Sequence, residues 1–302
     1  MSTQVPTWMT EAYKANVYHL TQQKGSVLKK AVRVESIAGA KSKFFDQIGS
    51  TTARLRTSRH SDTPRMDTPH ARRRVTLADF DWADLVDSED QIRMLAETVS
   101  PYADAGAMAM GRAMDETIIA AADGIAYTGV DGSTATAFDT AMVVTVQTRW
   151  PGIAASDLGL NLAKLLEARK LLGVNNVDPS EERWCIVNEE QVNSLLKDAR
   201  ISSFDYNNIK PLTEGNIGRA AGFNLISTQL IGIDANTDHK VLFWAKSGML
   251  LGLGKDHTAS IDKRPDKNNA TQVLVQMSIG ATRMEEVRVG YIACDPATGP
   301  GA

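Results

Sequence analysis

The sequence predicts an α+β protein, and three observations carry that class. Strand-like stretches rich in arginine flank a doubled Asp-Thr-Pro unit, "SDTPRMDTPH", at residues 61–70. A long helix-forming run follows between Ser100 and Gly124. Toward the end, apolar residues alternate at Val273, Val275 and Met277 and again at Val287, Val289 and Tyr291. Hairpin, long helix, mixed block and closing strands form an α+β order, with the closing strands available to pack back on the helix.

The first 46 residues form no sustained apolar face. Val17, Leu20, Val27, Leu28, Val32 and Val34 are scattered among Lys24, Lys29, Lys30 and Arg33. Such a segment buries little by itself and reads as an arm that needs a partner surface. From Thr51, "TTARLRTSRH" mixes β-branched residues with long arginines, which suits an exposed strand. After the Asp-Thr-Pro units, "RRRVTLADFDWADLV" sets Val75 and Leu77 against Thr76 and Ala78, with Phe80 and Trp82 on one parity. The two arms predict a long hairpin. About ten residues per arm at about 3.3 Å each give it a reach of roughly 30 Å. An isolated two-stranded hairpin is marginal in water, so this one is expected to lean on another molecule.

Charge is segregated here. Arg54, Arg56, Arg59, Arg65, Arg72, Arg73 and Arg74 precede Asp79, Asp81, Asp84, Asp87, Glu89 and Asp90, an acidic run without lysine or arginine. In the helix that follows, Ser100 suits a cap, Pro101 the first helical position and Asp104 the positive end of the first turn. Met110, Met114, Ile118 and Ala121 recur at helical spacing, and Gly124 suits the stop. Ala103, Gly106, Ala107 and Gly111 make its first half thin enough for close approach, and the stripe reads as core packing.

Residues 125–155 are small and polar around a valine strand at 143–146. A second helix is predicted over 158–172, with Asp157 as cap, Leu162, Leu165 and Leu166 inward and Gly173 as stop. "RWCIV" at 183–187 reads as a buried strand. Asn188 with Gln191 reads as a capping box for a third helix whose apolar face is Val192, Leu195 and Leu196. "AGFNLISTQLIG" and "KVLFWAKSGMLLGLG" are further strands.

Composition narrows function. With 302 residues, a net charge of -3 and pI about 6.0, the chain lacks the basic excess of a dedicated nucleic-acid binder. Cys185 and Cys294 form no CxxC, which excludes a zinc site of the usual spacing and fits a reducing compartment. The N-terminal stretch does not read as a signal peptide, and no apolar run approaches the roughly 20 residues a bilayer span needs. The expected place of synthesis is the cytosol. "GMLLGLGKD" places Met249 and Asp256 where a phosphate loop requires glycine and Ser or Thr. No GxSxG elbow or HxxxH pair occurs, and Cys185 sits inside an apolar strand. No enzyme, cofactor or metal is expected.

The doubled Asp-Thr-Pro admits three readings. Asp62 and Asp67 with His60 and His70 carry the donor types of a metal site, though at no known loop spacing. The arginines suit a phosphate or nucleic-acid grip, though no aromatic is interleaved with them. The favoured reading is a turn: Asp folds onto its own backbone and Pro holds the residue before it extended. The basic and acidic blocks then serve contact between copies of the chain, choosing partner and register more than adding affinity. That reading assigns Arg54, Arg56, Arg59, Asp62, Asp67, Arg72, Arg73, Arg74, Asp84 and Asp87 to a subunit interface.

Several stretches also resemble tailed-bacteriophage major capsid proteins of the Hong Kong 97-type fold. They are "RHSDTPRMDTPHARRRV" leading into "DWADLVDSEDQIRML", then "GRAMDETIIAAADG", "WCIVNEEQVNSLLKD", "GFNLISTQLI" and "IGATRMEEVRVGYIACD". The resemblance implies an N-terminal arm over 1–46, an extended hairpin loop over 47–86 and a peripheral domain with a spine helix over 87–124. It implies an axial domain over 125–260 and return strands of the peripheral domain over 261–302. It further implies self-assembly into hexamers and pentamers that close an icosahedral shell around double-stranded DNA. The arm is short for a built-in scaffold, so a separate scaffolding protein is expected, with a portal and a possible decoration protein as further partners. DNA contact is expected to be weak and non-specific, with no membrane partner. The hairpin has no lysine after Lys43, so a lysine–asparagine crosslink is not expected. Encapsulin-like compartments share the fold and stand as the alternative, with a nucleic-acid-binding protein behind them.

Overall fold

The computed structural model describes residues 22–60, 62–63, 65–86, 99–152, 156–198, 218–296 and 299. In chain order the first elements are β1 (Arg33–Ser36), β2 (Ser42–Ile48), β3 (His70–Thr76), β4 (Ala78–Val86) and α1 (Val99–Asp123). The middle of the chain forms β5 (Ala126–Thr128), β6 (Thr134–Thr136), β7 (Val143–Val144), α2 (Leu162–Val174), β8 (Arg183–Val187) and α3 (Glu189–Lys197). Then come β9 (Arg219–Ala220), β10 (Phe223–Ser227), β11 (His239–Ala245), β12 (Met249–Arg264), β13 (Ala270–Arg283) and β14 (Val289–Cys294). The chain divides into two compact units.

The larger unit takes in residues 27–78, 114–254 and 279–302. Its main sheet runs β7-β14-β11-β8-β10-β9. The buried parity of β8 and β11 supplies Cys185, Val187, Val241, Phe243 and Ala245, and β14 adds Ile292 and Cys294. Leu165, Ala168 and Leu172 of α2 and Leu195 of α3 close over these side chains. Burying such residues supplies the dominant stabilisation, about 1.5–3 kcal/mol for each large apolar side chain. Helix α2 begins at Leu162, four residues later than the predicted Leu158, because Asn161 rather than Asp157 is the cap: its side chain accepts from Lys164 N. Asn188 caps α3 by accepting from Gln191 N, but Gln191 does not reciprocate. Its Oε1 accepts from Leu160 N at 2.9 Å and so ties α3 to the entry of α2.

In the same unit β1 pairs in parallel with the first residues of β12, Arg33 opposite Leu250. The "GMLLGLGKD" stretch is thus strand from Met249 onward. A second sheet runs β2-β3-β5-β6. Asp115 of α1 is buried and accepts from Val27 N and Leu28 N, each at 3.1 Å, which fixes the chain ahead of β1.

The smaller unit takes in residues 1–26, 79–113 and 255–278. Its sheet is made by the outer half of β12, β13 and then β4. The thin half of α1 does what its sequence predicts. A Cβ at Gly106 would stand 2.6 Å from Trp82 Cε3 and 2.7 Å from Val275 Cγ2, so only glycine lets the helix lie this close to β4 and β13.

Candidate functional site

The hairpin is built from β2 and β3, paired antiparallel from Ser42 opposite Thr76 to Ile48 opposite His70. The sequence predicted the first arm at Thr51–His60 instead. That stretch joins no strand; the ladder ends at Ile48, and Gly49 N donates to Pro69 O at 2.8 Å to close it. Beyond that closure the described residues of the tip form no helix or strand. Arg54, Arg56, Arg59, Asp62, Arg65 and Asp67 are all exposed on it, as are Leu55 at 84% and Met66 at 50%. His60 takes a left-handed backbone, φ 62°. His60, Asp62, Asp67 and His70 form no metal-binding group among the described residues.

The three consecutive arginines of β3 part company by parity. Arg72 and Arg74 share the other face of the ladder, half-buried, opposite Asp46 and Phe44. Arg72 Nε donates to Asp46 Oδ1 at 2.6 Å, and its guanidinium lies 5.4 Å from the Phe44 ring centre. Arg74 stacks 4.9 Å over Tyr127 of β5. The aromatic interleaving missing from the local sequence is therefore supplied by neighbouring strands. Arg73 points the other way and is buried, on the parity that also buries Val75. Its Nε donates to Met284 O at 2.7 Å and its Nη2 to Glu286. Arg283, wholly buried, donates to Ala122 O and Gly124 O, each at 2.9 Å, and so holds the end of α1 beside the same cluster. Burial holds the Arg283 guanidinium below its usual range, partly offset by Glu286.

Of the acidic residues, Asp84 accepts from its neighbour Leu85 N at 2.8 Å. Asp79 and Asp81 stand on the exposed parity of β4 with Leu85, while Phe80, Trp82 and Asp84 are half-buried. Asp87 lies outside the described residues. The sequence reading missed Asp46, Tyr127, Phe44 and Glu286 as partners of the arginines. One signal was legible: the alternation that buries Val75 places Arg73 on the same side. A groove of about 720 Å³ lies across the neighbouring ends of β2, β3 and β5, lined by Asp46, Ile48, His70, Arg72, Thr128 and Val130.

Among the described residues the geometry is that of a hairpin rooted by buried arginines with an exposed tip. A family model described as phage capsid protein matches residues 5–296. The chain belongs to the phage capsid protein family. No curated protein sequence matches this capsid chain. Solved capsids do. The cyanophage P-SCSP1u capsid matches with a TM-score of 0.74 at 14% identity, over 98% of this chain and 95% of that one. The head of Helicobacter pylori bacteriophage KHP40 matches with a TM-score of 0.73 at 11% identity, over 97% of each chain. The capsid of a native GTA particle matches with a TM-score of 0.69 at 14% identity, again over 97% of each. Likeness at such identities speaks for the fold, and the fold of the capsid chain is the Hong Kong 97-type.

Proposed function

We propose that this capsid protein assembles with copies of itself into hexamers and pentamers that close an icosahedral shell around double-stranded DNA. The observation that carries the reading is the contrast within one hairpin. Its root is fixed to the subunit by Arg73, Val75 and Gln47, whose Nε2 donates to Met284 O at 2.9 Å. The described residues of its tip, between Gly49 and Pro69, are exposed save for the half-buried Thr68. A rigid root with an uncovered tip is suited to reaching another subunit. We assign the β2–β3 hairpin and its tip to the extended loop, α1 to the spine helix and the six-stranded sheet with α2 and α3 to the axial domain. The subunit acts as structure rather than catalyst. A net charge of -3 keeps the wall from gripping packaged DNA. Assembly in the bacterial cytoplasm with a separate scaffolding protein, and a portal at one vertex, complete the reading.

The test is sedimentation and negative-stain microscopy of the purified chain, alone and co-expressed with a scaffolding protein. Rings, tubes or closed shells are expected. A stable monomer under every condition overturns the reading.

A further inference from the structure

Two features of the subunit suit each other, and among the described residues the first joins no strand and the second leaves one edge open. The first is the tip segment Thr51–Thr57. Its residues favour a strand, with Arg54 and Arg56 on one parity and Leu55 on the other, yet it joins no sheet and is exposed throughout. Among the described residues, Arg56 Nε donates to Ser58 O at 3.0 Å. The second is β4, the outermost strand of its sheet among the described residues. Its exposed parity carries Asp79 and Asp81 and no cation. An open edge is a template for another strand, and paired acids on it oppose joining to a second β4 edge. A basic strand meets no such repulsion.

We propose that the Arg54–Arg56 segment of one copy adds as an antiparallel strand to the β4 edge of a second copy. Arg54 stands opposite Asp81, Leu55 opposite Phe80 and Arg56 opposite Asp79. The spacings match: residues two apart on a strand are separated by about 6.8 Å, so both charge pairs form in one register. The antiparallel sense brings directly opposite side chains closest. It also gives the exposed Leu55 a half-buried aromatic ring for cover. Backbone hydrogen bonds hold the added strand, and the charge pairs set its register and partner. Arg72, Arg73 and Arg74, occupied within their own subunit, take no part.

The inference rests on the shell-forming reading, and one set of full-length chains separates the two. Asp79→Lys with Asp81→Lys, and separately Arg54→Glu with Arg56→Glu, should each lower the assembled fraction at least tenfold by sedimentation. All four changes in one chain should restore it. Circular dichroism of the unassembled variants should match wild type, since all four side chains are exposed or at the outer parity. Independently, a chain carrying Arg54→Cys and Asp81→Cys should form disulfide-linked multimers inside oxidised particles. The native Cys185 and Cys294 are buried and do not compete. If wild type makes shells while the reversed chains assemble equally well, the strand pairing is wrong and the shell reading stands. The same holds if the fourfold variant is not restored or the cysteine particles show no link. If wild type makes no assembly at all, both fall.

Discussion

Arg73 in the root of the hairpin pairs with Glu286 under cover from solvent, the two lying 213 positions apart in the chain. Around them, Arg73 Nη1 and Glu286 Oε1 are buried without a hydrogen-bond partner. Such a pair adds little over an apolar contact when whole, but breaking it strands a buried charge. Arg73→Glu should therefore cost about 3–5 kcal/mol. Arg72→Glu, at the exposed end of an ion pair with Asp46, should cost less than about 1 kcal/mol. Urea denaturation of the unassembled subunit checks both. Equal losses would show that the root is not held by Arg73. The same contrast means that reversing Arg72, Arg73 and Arg74 together tests the fold before it tests assembly.

Gly111 of α1 offers a second test, in the smaller unit. A Cβ there would stand 2.4 Å from the Gly25 carbonyl carbon and 2.5 Å from its Cα. Gly to Ala within a helix ordinarily gains about 1 kcal/mol. Here the obstacle is backbone, which cannot rotate away, and overpacking of this kind costs about 1–3 kcal/mol. Gly111→Ala is thus expected to lower stability and to loosen the hydrogen bond from Arg112 Nη1 to Gln22 Oε1, 3.0 Å long. Faster amide exchange or proteolysis ahead of β1 is the readout; an unchanged or stabilised subunit refutes the close approach.

The elements written in local periodicity were legible in sequence. Strand β8 and the Asn188 cap fall where spacing and capping chemistry put them, and α1 ends at Asp123 just ahead of Gly124, because those signals act within a few residues; its start does not, since the helix begins at Val99 and takes in Ser100, the expected cap. What failed depended on distant partners. Thr51–His60 has strand propensity but joins no sheet among the described residues. Ser42–Ile48 is a strand although Phe44 and Phe45 place an aromatic on both of its parities, which hides the alternation. The three arginines of β3 look alike in sequence. Only the ladder separates the buried Arg73 from the half-buried Arg72, and only the return of the chain after β13 supplies Glu286.

Lys164 of α2 is buried, and its Nζ donates to Leu158 O at 2.6 Å and Ala293 O at 2.9 Å. Burial lowers its pKa, with Cys294, Asp238, Asp157 and Asp295 opposing that shift. The ammonium ties the entry of α2 to the end of β14, so Lys164→Met trades the cost of a buried charge against two carbonyls left without donors. Each orphaned buried acceptor costs about 1–3 kcal/mol. The loss of both bonds should dominate, giving a net destabilisation at neutral pH. As pH rises through the lowered folded pKa, the wild-type amine becomes neutral at little cost to the fold. Wild type therefore gains stability toward alkaline pH from this group, a gain absent from Lys164→Met. Parallel stability curves for the two proteins between neutral and alkaline pH would refute the assignment.

Asp238 provides the opposite slope. Burial raises its pKa above the usual carboxylate value, reinforced by Asp157, Asp295 and Asp234 and opposed by Lys164. A carboxyl that holds its proton more tightly when folded contributes most below its unfolded pKa, and that contribution is lost as pH rises through the folded value. At neutral pH the ionised Asp238 is a burden on the fold. Asp238→Asn keeps the shape, removes the charge and should raise the melting temperature at pH 7 while changing it little at pH 3. The two residues lie in one electrostatic cluster, so their effects should not add. With Lys164 already replaced by Met, the carboxylate loses its nearby cation, and Asp238→Asn should stabilise more than it does in wild type. A thermodynamic cycle of the four proteins at pH 7 measures this coupling. A coupling energy of zero would mean that Lys164 acts on Leu158 and Ala293 alone, with no part in holding the charge of Asp238.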